Sequence, residues 1–156
     1  MVTATTVVWL EEGAAGRFVD IDDCDRLPLI REDSDLQGAI ELEVNGVDLL
    51  NRVLVDDIIT MWVYIASMVN DYMNGLKAMA PLPEQSILVS LKPLPRGQAL
   101  MSVEGNSWRR ASAADAEELL FTLRFAGNEF FDKVEALTGR FWPQARTFLN
   151  AGSEFQ

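Results

Sequence analysis

Two long apolar stripes at helical spacing, with strand-like segments before and between them, limit how this chain folds. Ile58, Trp62, Ile65, Val69, Tyr72, Leu76 and Met79 recur at alternating steps of four and three, and Ile59, Val63, Ala66 and Met73 widen the stripe. An arc that wide is buried on more than one side, so the spacing predicts a central helix over residues 55–79. Asp56 and Asp57 stand near its start, where the helix dipole favours negative charge. Pro81 and Pro83 stop it, because proline has no amide hydrogen to donate. Ala116, Leu120, Leu123, Gly127, Phe130, Val134 and Leu137 form the second stripe and predict a helix over residues 113–138. Ser112 is its expected N-cap, Asp115 stands three residues on as in a capping box, and Gly139 suits the C-cap. Gly127 in mid-stripe predicts close approach of a neighbouring backbone. Pro143 fits the first turn of a short last helix ending near Asn150.

The remaining segments read as strands. Thr3, Thr5, Thr6, Val7, Val8 and Trp9 are β-branched or aromatic, and residues 17–21 are a hairpin partner across the Glu11-Glu12-Gly13 turn. Ile40, Leu42 and Val44 alternate with Glu41, Glu43 and Asn45, the pattern of a half-buried antiparallel strand, and Asn45-Gly46 turns it back into residues 47–50. Residues 86–92, 98–104 and 107–111 form a meander, joined by Pro93-Leu94-Pro95-Arg96-Gly97 and Gly105-Asn106. The expected fold is α+β: an antiparallel sheet of about five to six strands, covered on one face by two long helices plus a short C-terminal helix. Residues 1–151 are expected to form one domain. Gly152-Ser153-Glu154-Phe155 reads as a cloning-derived tail, so residues 152–156 are set aside from the fold.

Charge and composition exclude more than they assign. The chain carries 24 acidic and 13 basic side chains, a formal net charge of −11, and no histidine. A phosphate binder needs a basic face, so neither nucleic acid nor an anionic membrane is the expected partner. Without histidine there is no Ser-His-Asp or Cys-His mechanism and no common catalytic zinc site. No Gly-x-Gly-x-x-Gly, phosphate-loop or Gly-x-Ser-x-Gly motif occurs. The lone Cys24 cannot form an internal disulfide, and no secretory signal precedes it, so a cytoplasmic location is expected. Its neighbours Asp22, Asp23 and Asp25 disfavour a thiolate.

The negative charge is lopsided. Residues 1–57 hold 14 acidic and 4 basic side chains, against 10 and 9 in the rest. The densest part is Asp20, Asp22, Asp23 and Asp25, followed by Glu32, Asp33 and Asp35. A patch of this kind speeds encounter with a cationic partner. Counted from Asp20 as a calcium loop, the sixth and twelfth positions are Asp25 and Arg31 where glycine and glutamate are needed, so no metal site is expected. The candidate partner-binding residues are therefore those seven together with Glu41, Glu43 and Trp108. Phe121 and Phe125 form a second signal. They lie about 160° from the Leu123 stripe at about 100° per residue, on a side shared with Glu118, Asn128 and Asp132. The last helix, with Phe141, Trp142, Phe148 and Leu149, is expected to fold over them; otherwise they are a partner or dimer surface.

An acidic strand region, a long tryptophan-bearing helix, a meander, and a helix reading Glu118-Leu119-Leu120 and Glu129-Phe130-Phe131 resemble small immunity proteins of bacterial polymorphic-toxin and contact-dependent inhibition systems, over residues 38–138. The resemblance implies a cofactor-free cytoplasmic protein without catalytic residues. Such a protein binds a cognate, often basic, toxin domain as a monomer or homodimer and blocks its active site. Two rivals remain: an acidic dimeric secretion chaperone with an exposed apolar groove, and a small-ligand binder or enzyme with a pocket near Tyr64, Tyr72, Glu104 and Arg109.

Overall fold

In a computed structural model that describes residues 1–28 and 36–151, the β-branched run at the start forms a long strand, β1 (Val2–Glu12), which turns into β2 (Ala15–Asp20). After a short 3-10 turn (Ile21–Asp23) come β3 (Gln37–Val44), β4 (Val47–Leu50) and the two-residue β5 (Asp56–Asp57). Helix α1 (Ile58–Met73) follows, then β6 (Ala78–Pro81), β7 (Leu88–Leu94), β8 (Gln98–Glu104) and β9 (Arg109–Asp115). Two helices close the chain, α2 (Ala116–Thr138) and α3 (Pro143–Asn150).

The fold is α+β with antiparallel strands, divided between two sheets rather than gathered in one. The first runs β2-β1-β3-β4, with β5 on β3 beside β4; the second runs β6-β7-β8-β9. They meet at the β3–β4 turn and β9 through side chains: Ser112 Oγ donates to the Val44 carbonyl (2.8 Å) and Asn45 Nδ2 to the Ala113 carbonyl (2.8 Å). The alternation in β3 holds, with Ile40, Leu42 and Val44 buried and Glu43 exposed on the outer face. Helix α1 lies against β6 and β7, α2 against β1 and β9, and α3 against α1. A continuous core joins both sheets to all three helices, centred on Trp62, Phe130 and Phe131.

Three features differ from the spacing, each for a local reason. Helix α1 stops at Met73 rather than residue 79, because Gly75 takes φ +72° and its amide bonds back to the Tyr72 carbonyl. Leu76 and Met79 then leave the helix, and residues 78–81 pair with β7 instead. The N-cap of α2 moves from Ser112 to Asp115, because β9 stays paired with β8 through Asp115; the Asp115 carboxylate accepts from the Glu118 amide (3.0 Å). Gly127 is closely approached, but by side chains: a Cβ there would lie 2.9 Å from Leu149 Cδ1 and 3.1 Å from the Trp62 ring.

Candidate functional site

The strongest clustering of chemistry follows β2. Asp20 Oδ1 accepts from the Asp22 amide (2.9 Å) and sets the 3-10 turn. Ile21 and Cys24 drop into the core, while Asp22, Asp23 and Asp25 stay exposed. The turn lies against α2, where Lys133 Nζ donates to the carbonyls of Asp22 (3.1 Å) and Cys24 (3.0 Å). Asp22, Cys24, Asp25, Glu129, Asp132 and Lys133 line one shallow cleft. Burial first, then the charge and hydrogen bond of Asp22, then Asp20 and Asp132, push the Glu129 carboxyl above the ordinary glutamate range. Burial also raises the Cys24 thiol, reinforced by Asp20, Asp23 and Asp25 and opposed by Lys133. The cysteine is thus a poor nucleophile.

Among the described residues, the cation that reaches this turn is Lys133. Among the described residues, Asp20, Asp22, Asp23 and Asp25 form no ion pair. Arg26 lines a different cleft with Trp9, Glu11 and Glu12. The arginine at the edge of the cluster is Arg146, which pairs with Asp132 and bonds the Asn128 carbonyl (3.0 Å).

The other sequence candidates lie elsewhere. Glu32, Asp33 and Asp35 fall outside the described residues. Glu41 and Glu43 stand on the outer face of β3. Glu41 is held by Arg52 Nε (2.7 Å), whose guanidinium also covers Phe18 (5.3 Å). Trp108 lies in the turn between β8 and β9 of the second sheet; its ring folds over Gly105 and lies under the Arg110 guanidinium (4.7 Å). So Asp20, Asp22, Asp23 and Asp25 form one site, and Glu41, Glu43 and Trp108 do not join it. The residues of the small-ligand reading also separate: Tyr64 lines a cleft between α1 and α3, while Glu104 and Arg109 face each other across β8 and β9. Glu129 and Lys133 were missed as site residues, although the first falls one turn beyond Phe125 on the polar side of α2.

That side carries the second feature. Phe121 and Phe125 are 66% and 56% exposed, and their rings stack on each other with centroids 6.1 Å apart. Helix α3 does not cover them, and its length gives the reason. Eight residues reach from Glu135, which accepts from the Trp142 amide (3.1 Å), back to Asn128, bonded to Asn150 (2.9 Å). Both phenylalanines lie beyond that end. Leu149 and Trp142 instead pack into the core and against Phe131, leaving Phe141 71% exposed.

Among the described residues no helix is long and apolar enough to cross a membrane, and no three His, Cys, Asp or Glu side chains are grouped to hold a metal ion. Compared with protein-family models, with curated proteins and with solved structures, the chain matches none of them.

Proposed function

We propose that this protein is an immunity-type binding protein of the bacterial cytoplasm, which occludes the active site of a cognate basic toxin domain and performs no chemistry of its own. The observation that carries the reading is the convergence of Asp22 and Asp25 with Glu129 and Asp132 in one cleft, with Asp20 close enough to raise Glu129. The two groups come from distant parts of the chain; Asp22 and Lys133 are 111 positions apart. Like charges repel, so gathering them lowers stability, and a cationic ligand recovers that loss. Lys133, bonded to backbone carbonyls, and Arg146, paired with Asp132, bring two positive charges to the four carboxylates that line the cleft, which leaves a surplus of negative charge. The resemblance in layout to immunity proteins supports the same reading. Affinity in such a complex comes from a few desolvated anchors, and the acidic face mainly sets on-rate and specificity.

The test is co-expression with a basic toxin domain encoded beside this gene, together with stopped-flow association of the purified pair. Wild-type protein is expected to restore growth. The triple variant D22N/D23N/D25N is expected to associate about tenfold more slowly at low salt, with a flatter salt dependence. If association is unchanged at low salt, or no neighbouring product is toxic and bound, the reading fails.

A further inference from the structure

The aspartate turn supplies charge but little apolar surface, and an interface needs both. The exposed side of α2 supplies the second. Glu117, Phe121, Phe125, Glu129 and Asp132 fall within about 120° of one another around the helix axis, taking about 100° per residue. Glu117 stands one turn before the aromatic pair and Glu129 one turn after it. Beyond Glu129 the strip runs into the cleft with Asp22 and Asp25. The strip is therefore an aromatic pair with carboxylates at both ends, about 20–25 Å long at 1.5 Å per residue. Its cations are engaged locally: Arg124 bonds Met73 Sδ, Lys133 the carbonyls of the turn, and Arg146 Asp132. Met73, 39% exposed at the end of α1, widens the apolar part from the side.

The charges select the occupant. A second copy would set Glu117 of one molecule near Glu129 of the other in an antiparallel helix pair, between chains that each carry −11. Like-charge contacts of that kind are destabilising. A segment with apolar residues one turn apart, flanked by lysine or arginine, meets complementary groups along the whole strip. We propose that Phe121 and Phe125 are the apolar anchors of a docking strip on α2 that takes a basic amphipathic segment of the partner. This rests on the reading of the aspartate turn as a cation-facing surface and adds the residues that hold the partner once it has arrived.

The experiment compares two synthetic probes by fluorescence anisotropy on the full chain. One is a peptide of about five helical turns made of leucine and lysine in amphipathic register. The other has serine in place of each leucine at equal charge. The leucine–lysine peptide is expected to bind wild type about tenfold or more tightly than the serine–lysine peptide. In F121S/F125S that preference is expected to vanish while serine–lysine binding stays; circular dichroism confirms that these exposed positions leave the fold intact. D22N/D23N/D25N is expected to weaken both peptides alike and reduce their salt dependence. Equal binding of the two peptides by wild type, or an unchanged preference in F121S/F125S, overturns the proposal. A dimer in sedimentation that F121S/F125S dissolves also overturns it, assigning the strip to a second copy. If the phenylalanine effect holds but the aspartate variant changes neither affinity nor salt dependence, the reading of the aspartate turn fails while the apolar anchors stand.

Discussion

Asp56 has no exposed surface, yet it carries a carboxylate at the end of the chain's most acidic third. Its oxygens accept from the Asp57 amide (2.7 Å), the Glu84 amide (3.1 Å to each oxygen) and Gln85 Nε2 (3.2 Å). One side chain thus ties β5 to the segment between β6 and β7. Asp57 beside it caps α1, accepting from Thr60 Oγ1 (2.9 Å). The sequence places both near a helix start, which is right for Asp57; the bonds to Glu84 and Gln85 depend on a loop far along the chain and leave no local pattern. These two residues, with Glu41 and Glu12 held by Arg52 and Arg17, also mean that the acidic excess of residues 1–57 overstates the charge a partner meets. Asp56→Asn turns one acceptor into a donor facing N–H groups. It is expected to cost about 2–3 kcal/mol, read as a lower urea midpoint with an unchanged slope. A midpoint within error of wild type would show that the carboxylate is not the acceptor described.

Helix α2 is the element on which structure and proposed function meet. Its buried side was legible in the sequence, since Leu123, Phe130 and Val134 of the stripe lie in the core and Gly139 caps the end. Its outer side was only half legible. The misplaced phenylalanines stood out by angle, but their exposure depends on where α3 ends, and the meeting of Glu129 with Asp22 depends on how β2 leaves the first sheet. The strands were read well where a side-chain period of two was visible. Strand β6 was missed because Ala78 and Ala80 continue an apolar run that helical spacing also fits. The charge on α2 has a measurable consequence. The Glu129 carboxyl is raised in the folded state by burial and by Asp22, so the folded chain binds more protons than the unfolded chain between the ordinary glutamate value and the raised one. That contribution to stability is complete below the ordinary value and is lost as pH rises through the raised one. Glu129→Gln removes the charge. The variant is therefore expected to be more stable than wild type at pH 7, with the gain shrinking as pH falls toward about 4. A gain independent of pH, or a loss at pH 7, would place the Glu129 charge away from the aspartates.

For the whole molecule, the question is whether two sheets make one cooperative unit. Their backbones do not pair with each other among the described residues; side chains join them in two places, Ser112 on Val44 with Asn45 on Ala113, and Asp56 with Gln85 between β5 and the β6–β7 segment. The core, by contrast, is continuous. Trp62 packs near Gly127 and Phe130, and its indole N–H donates to Thr6 Oγ1 (3.0 Å) in β1, while α1 also lies on β6 and β7. Burial of shared apolar surface is the larger coupling, since each such hydrogen bond contributes only about 1 kcal/mol and a single buried aromatic or aliphatic side chain contributes about 1.5–3 kcal/mol. Unfolding is therefore expected to be a single transition. Amides of β1 and β3 and amides of β7 and β8 should reach the same global opening free energy in hydrogen exchange, with the same dependence on denaturant. Removing the joint at the β3–β4 turn with S112A and N45G together should lower stability by about 2 kcal/mol and leave the two sheets opening as one. If that variant instead gives one sheet a separate, lower opening energy, the side-chain joint rather than the common core is what couples them. The aspartate turn, which hangs from the first sheet, could then shift relative to β9 and the start of α2.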